Sequence, residues 1–136
     1  MKKNLTEEVK QAAEILSRAK SAVVFTGAGM SAESGIATFR DPGGLWDRFD
    51  PAEVGTASGI MSFLSSGGDK IREIIREVAE SFNSARPNAG HLALAELEKM
   101  GVIRSVITQN IDNLHREAGN TQVFEVHGNL YRFRCL

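Results

Sequence analysis

A β-branched run that stops abruptly in glycine constrains this chain more than any other feature. Val23, Val24, Phe25 and Thr26 lead straight into Gly27, Ala28, Gly29, Met30, Ser31 and Ala32. A short apolar run that ends in small residues is how a buried parallel strand feeds a tight turn into a helix. Without a Cβ, Gly27 and Gly29 let the backbone turn sharply and let a ligand approach closely. The N–H groups of the following helix, backed by the positive end of its dipole, suit a phosphate or pyrophosphate. Ala32 takes the third position of the G-x-G-x-x-G/A dinucleotide pattern. On the glycines alone two readings stand: a phosphate cradle, or a strand-to-helix turn that needs glycine only for its geometry.

The rest of the chain narrows the class. Its 136 residues suffice for one domain with a single core. A hydrophobic fraction of 42% and a charged fraction of 24% are those of an ordinary globular protein. The formal net charge of -1 gives no reason to expect capture of nucleic acid or of an anionic membrane. The basic start, Lys2 and Lys3, is followed by no apolar stretch of the kind a signal peptide carries, and no run is long enough to span a bilayer. One cysteine, Cys135, allows no internal disulfide, so the expected compartment is the cytoplasm.

Periodicity predicts alternating strands and helices. Thr6 is the expected N-cap of an amphipathic helix over residues 6–20, with Val9, Ala12, Ala13, Leu16 and Ala19 on its apolar face. A strand over 21–26, the glycine turn and a short helix from Gly29 follow. Residues 35–50 read as a long loop punctuated by Gly35, Pro42, Gly43, Gly44 and Pro51 just beyond, with Phe39, Leu45, Trp46 and Phe49 as apolar anchors for a ligand-covering loop. Small helices are expected over 52–84, one of them capped by Asp69. A further helix is expected from the cap Asn88 to Met100, stopped by Gly101. Strands at 102–108 and 122–126 enclose a short helix over 111–118, and 130–134 reads as a fourth extended piece. The order implies an α/β fold: a parallel three-stranded βαβαβ half of a Rossmann-type sheet with a small helical insertion, in one domain over residues 1–136.

Ligands of open α/β sheets bind beyond the C-terminal strand ends. Gln109, Asn110, Asp112 and Asn113 fall there and offer donors and acceptors suited to ribose hydroxyls and a carboxamide. For Asn110 or Asp112 singly, helix capping is the better account; for the whole cluster it is not. His127 follows the third strand at the same edge. Its position leaves open a general base and a hydrogen-bonded structural histidine. His91 and His115 fall within helices, where structural roles fit better. Arg40 could pair with a phosphate or sit on the surface. Cys135 alone cannot make a structural zinc site, which takes four ligands.

Together these residues closely resemble the sirtuin family, the NAD-dependent protein-lysine deacylases. The resemblance rests on Gly27-Ala28-Gly29-Met30-Ser31 with Gly35-Ile36-Ala37-Thr38-Phe39-Arg40, and on Pro87-Asn88 with His91. It rests also on Thr108 through His115 with Ala118-Gly119, and on Glu125-Val126-His127-Gly128. The blocks keep the family's order and cover most of the chain from residue 23 onward. The resemblance implies that Gly27, Ala28, Gly29, Ser31, Phe39, Arg40, Gln109, Asn110 and Asp112 lie around NAD. It assigns Asn110 and Asp112 to the nicotinamide and ribose region, and His127 as the base acting on a ribose hydroxyl. The expected partners are acetylated or otherwise acylated protein lysines.

Two departures stand out. Ala37 replaces the family's usual proline, which should leave the loop less rigid. The family's zinc module uses four cysteines in two pairs, and Cys135 matches only the first; the other three ligands have no counterpart here. The expectation is therefore the N-terminal portion of a sirtuin. Two alternatives remain: a non-catalytic fragment whose sheet exposes an unpaired edge at its first strand and self-associates there, or another Rossmann-type oxidoreductase. The acidic residue that a dehydrogenase needs about 20 residues after the glycines is not evident, because Asp41, Asp47 and Asp50 fall in the loop.

Overall fold

The computed structural model describes residues 5–38, 57–65, 69–132 and 135. The element order is α1 (Leu5–Arg18), β1 (Val23–Thr26), a 3₁₀ helix (Ala28–Ser34), α2 (Ala57–Ser65), α3 (Asp69–Ser84), α4 (Ala89–Lys99), β2 (Ser105–Thr108), α5 (Leu114–Glu117) and β3 (Val123–Glu125). They form two compact units. One comprises Met1–Thr26 with Ala89–Leu136, the other Gly27–Asn88.

The first unit is built on a parallel sheet of order β1-β2-β3. This is the expected α/β architecture. Register aligns Thr26 with Thr108, and Thr108 with Glu125, so the three strands finish level. Because side chains alternate across a sheet, residues in register share a face. Val106 and Val123 lie on the covered face, at 0% and 7% exposure. Ala95 of α4, Ile103 and Leu114 of α5 complete that core. The opposite face is open: Phe25, Ile107 and Phe124 stand in one row across it, and Phe25 and Phe124 are 64% and 56% exposed.

Several boundaries differ from the sequence expectation for local reasons. The first helix starts at Leu5, so Thr6 lies within its first turn and is not its cap. Its apolar stripe is largely exposed, Val9 and Ile15 included. The second strand starts at Ser105 instead of residue 102, because the helix end before it uses those N–H groups. Val102 and Ile103 donate to Leu97 O, and Gly101 donates to Glu98 O. With Gly101 at φ 73, this is a Schellman stop. The helix expected over 111–118 shrinks to four residues, since Asn113 is in the left-handed region at φ 67 and cannot continue a helix backward. The fourth extended piece is not a strand among the described residues: Leu130 and Tyr131 form a turn.

The second unit holds the 3₁₀ helix, α2 and α3. Gly35, at φ 87, ends the 3₁₀ helix, and Ile36 packs behind it at 8% exposure. Asn88 donates from Nδ2 to Met30 O and to Ser34 Oγ, tying the end of this unit to its beginning. The expected ligand-covering loop, with Phe39, Arg40, Leu45, Trp46 and Phe49, lies outside the described residues.

Candidate active site at the sheet edge

The strand ends carry the polar side chains. Gln109 N–H donates to Thr26 O and Val126 N–H to Thr108 O, so the ladder continues one step past each strand. Gln109 and His127 therefore emerge side by side. His127 Nδ1 lies 3.2 Å from Gln109 O. A carbonyl oxygen can only accept, so this bond puts the proton on Nδ1. In the neutral ring the Nε2 lone pair is then left for another partner. His127 is exposed, as a group that must meet a ligand has to be.

The segment between β2 and α5 is a turn, not a helix. Asn110 N–H donates to Thr108 Oγ1 at 3.0 Å, and Asp112 Oδ1 accepts from Leu114 N–H at 2.9 Å. Asp112 is thus a local brace of the helix start, one residue before the N-cap Asn113, and it is buried at 5% exposure. Gln109 is exposed and Asn110 half-buried. The structure thereby brings Gln109, Asn110, Asp112 and His127 to one edge.

Beneath that edge sits a pair of buried histidines. His91 of α4 and His115 of α5 are 0% and 3% exposed, and Thr26 Oγ1 is hydrogen-bonded to His115 Nε2 at 2.9 Å. Sequence reasoning kept His115 away from the strand ends; in the structure it supports the last residue of β1. Burial first, then the neighbouring His91, push the His115 imidazole down to about 4, against the pull of Asp112, Asn120 and Glu125. Burial likewise lowers His91, opposed by Asp112. Both rings are neutral at neutral pH.

The glycine turn belongs to the second unit. Gly27 is extended, at φ -143, and a Cβ on Gly29 would meet nothing within 4 Å. The extended φ of Gly27 is open to any residue, and no packing among the described residues demands glycine at position 29. What the missing Cβ of Gly29 leaves is room for something to approach, as a phosphate cradle requires. Ser31 in the same helix is buried at 1% exposure, and Ala28 is half-buried. The turn's N–H groups are donors of the type a phosphate accepts from; the sheet edge of the first unit offers amide, carboxylate and imidazole groups of its own. Phe39 and Arg40 fall outside the described residues. Cys135 is exposed, and among the described residues no group of three or more His, Cys, Asp or Glu could hold a metal ion. The donors present do not make a zinc site.

Sequence reasoning overlooked Thr26, Asn120, Glu125 and Asn129. Thr26 was legible as the last residue of a strand entering the ligand edge. The others act through side-chain bonds that strand and helix periodicity does not announce.

A βαβαβ half-sheet with a carboxamide-rich turn and a histidine at its C-terminal edge defines a Rossmann-type α/β protein. The model of the Sir2 family matches residues 27–136, and the chain belongs to that family. It is 56% identical over 133 residues to an NAD-dependent protein deacylase of Desulfosudis oleivorans, covering 98% of this chain and 49% of the relative. Among solved structures, a Sir2 homolog–NAD complex superposes with a TM-score of 0.71 at 39% identity, over 89% of this chain and 46% of that one. A Sir2 protein with a deacetylated peptide and 3′-O-acetyl ADP-ribose gives a TM-score of 0.75 at 35% identity, over 90% and 48%. The chain thus spans about half the length of the curated relatives it matches.

Proposed function

We propose that this protein takes part in NAD-dependent removal of acyl groups, acetyl among them, from protein lysines in the cytoplasm. The relatives' names support the reaction class, and Sir2 membership favours it over the dehydrogenase alternative. The observation that carries the reading is the Nδ1 bond of His127 to Gln109 O at the sheet edge. It holds the imidazole in the tautomer whose Nε2 can take a proton from a ribose hydroxyl.

NAD, when bound, supplies a ribosyl group that releases nicotinamide and carries the acyl group away as O-acyl-ADP-ribose. In this reading Gln109, Asn110 and Asp112 hold the nicotinamide and ribose portion. Gly27, Ala28, Gly29 and Ser31 meet the phosphate portion, with Phe39 and Arg40 in the covering loop. Asn110 and His127 are the catalytic residues. Cys135 is the position that would serve the zinc of the wider family, whose structural site takes four ligands.

A second reading is a catalytically incomplete Sir2 fragment that keeps only nucleotide-binding or structural capacity. The open sheet face and the half-length match favour it. Among the described strands β1 pairs on one side only, which supports self-association along its free margin. The test is NAD-dependent deacetylation of an acetyl-lysine peptide, with nicotinamide and O-acetyl-ADP-ribose followed by mass spectrometry, beside His127→Ala. Turnover lost in the variant, by about 10²–10⁴-fold for a general base, carries the first reading. A folded wild-type chain without turnover carries the second.

A further inference from the structure

His127 is exposed and is tied to Gln109 by one bond of 3.2 Å. A single hydrogen bond to an exposed ring holds it only weakly. Something else must hold the turn that carries it. Gly128, at φ 86, closes that turn with its N–H on Glu125 O. Asn129 then spends its whole carboxamide on anchoring. Its Nδ2 donates to Asn113 Oδ1 at 3.1 Å and to Glu125 Oε1 at 2.5 Å, and its Oδ1 accepts from Tyr131 N–H at 2.8 Å. Both of its anchors are themselves fixed. Glu125 Oε1 also accepts from Arg116 Nε at 3.4 Å, and Arg116 reaches Val123 O at 2.6 Å. Asn113 Nδ2 donates to Glu117 Oε1. Beside Asn129, Leu130 N–H donates to Ile111 O. The turn bearing His127 is in this way stitched to the segment that follows Gln109.

We propose that Asn129 is a positioning residue for His127: by bridging Asn113 and Glu125 it keeps the imidazole Nδ1–H on Gln109 O. The inference rests on the reading of His127 as the general base, and it names the residue that sets that base's tautomer. Only a carboxamide serves here. An aspartate would lose both donors and face Glu125 with like charge.

The test reads the tautomer directly. Long-range ¹H–¹⁵N spectra of the ¹⁵N-labelled chain, recorded in mildly alkaline buffer, should show His127 protonated on Nδ1. Asn129→Ala should lose that preference in favour of the Nε2–H form that a solvated imidazole adopts, with the His115 signals and the slow-exchanging sheet amides unchanged. His127 keeping Nδ1–H in Asn129→Ala would overturn the proposal, as would a wild-type ring of mixed tautomer. If Asn129→Ala does not fold, Asn113→Gly removes one anchor at a φ that glycine accepts, and the same two outcomes decide. The tautomer and the deacetylation assay fail separately. An unchanged tautomer with turnover lost in His127→Ala overturns the role of Asn129 alone. A lost tautomer with turnover kept in His127→Ala overturns the general base and leaves the anchoring.

Discussion

His91 and His115 meet edge to face in the interior, with ring centroids 4.8 Å apart and planes at 62°. Two imidazoles at that distance cannot both carry a proton in a buried setting without a large cost. The pair also has Asp112, Asn120 and Glu125 acting on it. With His115 at about 4 in the fold and 6.5 as its reference value, the unfolded chain binds more protons between those values. Stability is therefore full above about pH 6.5 and falls as pH drops toward 4. Urea unfolding midpoints measured from pH 7.5 to 4 should decline. His115→Gln should flatten that decline, even if it lowers the midpoint at every pH. A wild-type midpoint constant across this window would refute the assignment.

Glu98 gives a second, lower window. Burial pushes its carboxyl up. Hydrogen bonds from Thr121 and Asn120, and from the backbone N–H groups of Gln122 and Thr121, outweigh that and hold it at about 2. Its folded value lies below the reference of 4.5, so its contribution is present above pH 4.5 and is lost as pH falls toward 2. Glu98→Ala leaves the buried Asn120 Nδ2 without this acceptor and returns the exposed Thr121 and Gln122 donors to water. The expected cost is about 1–3 kcal/mol, read as a lower denaturation midpoint at neutral pH.

Asn113 is the one described non-glycine residue with positive φ. Asn113→Gly keeps the backbone unstrained and loses only the bonds to Glu117 and Asn129. It should lie closer to the wild-type thermal midpoint than Asn113→Val, which should lower stability by about 1–3 kcal/mol more, because a β-branched side chain crowds the left-handed region. Equal midpoints for the two variants would show that the backbone there relaxes without strain.

The open face offers a stability-neutral change. Phe25→Ser with Phe124→Ser removes two exposed aromatic rings from one row. Substitutions at exposed positions without special contacts usually stay within about 0.5 kcal/mol, so the chemical midpoint should hardly move. Binding of a hydrophobic dye should fall. A large loss of stability would mean that the rings are already packed in solution.

Much of this was readable from local pattern. The β-branched runs at Val23 and Ser105 and the stop at Gly101 follow from residue-by-residue preference. So does the carboxamide cluster after Thr108, which falls at the strand end because strand ends are where turns begin. What escaped were features set by contacts distant in sequence, and one set by a local side-chain bond. A helical stripe such as Val9, Ala12 and Leu16 announces an apolar face, not whether anything in the chain covers it. Spacing placed His115 within a helix but could not show that so short a helix turns it back under Thr26. Residues 130–134 read as extended because Leu130 and Tyr131 favour strands. The side chain of Asn129 takes the Tyr131 N–H instead and forces a turn.

A sheet covered on one side also leaves a calorimetric signature. Heat capacity rises on unfolding because apolar surface is newly wetted, by about 12–15 cal/mol/K per residue in ordinary domains. Here the row through Phe25, Ile107 and Phe124 includes two rings that already meet water in the folded chain. Melting this protein exposes less than its length implies. Its heat-capacity step and its urea m-value should both fall short for 136 residues, and its stability curve should be correspondingly flat with temperature.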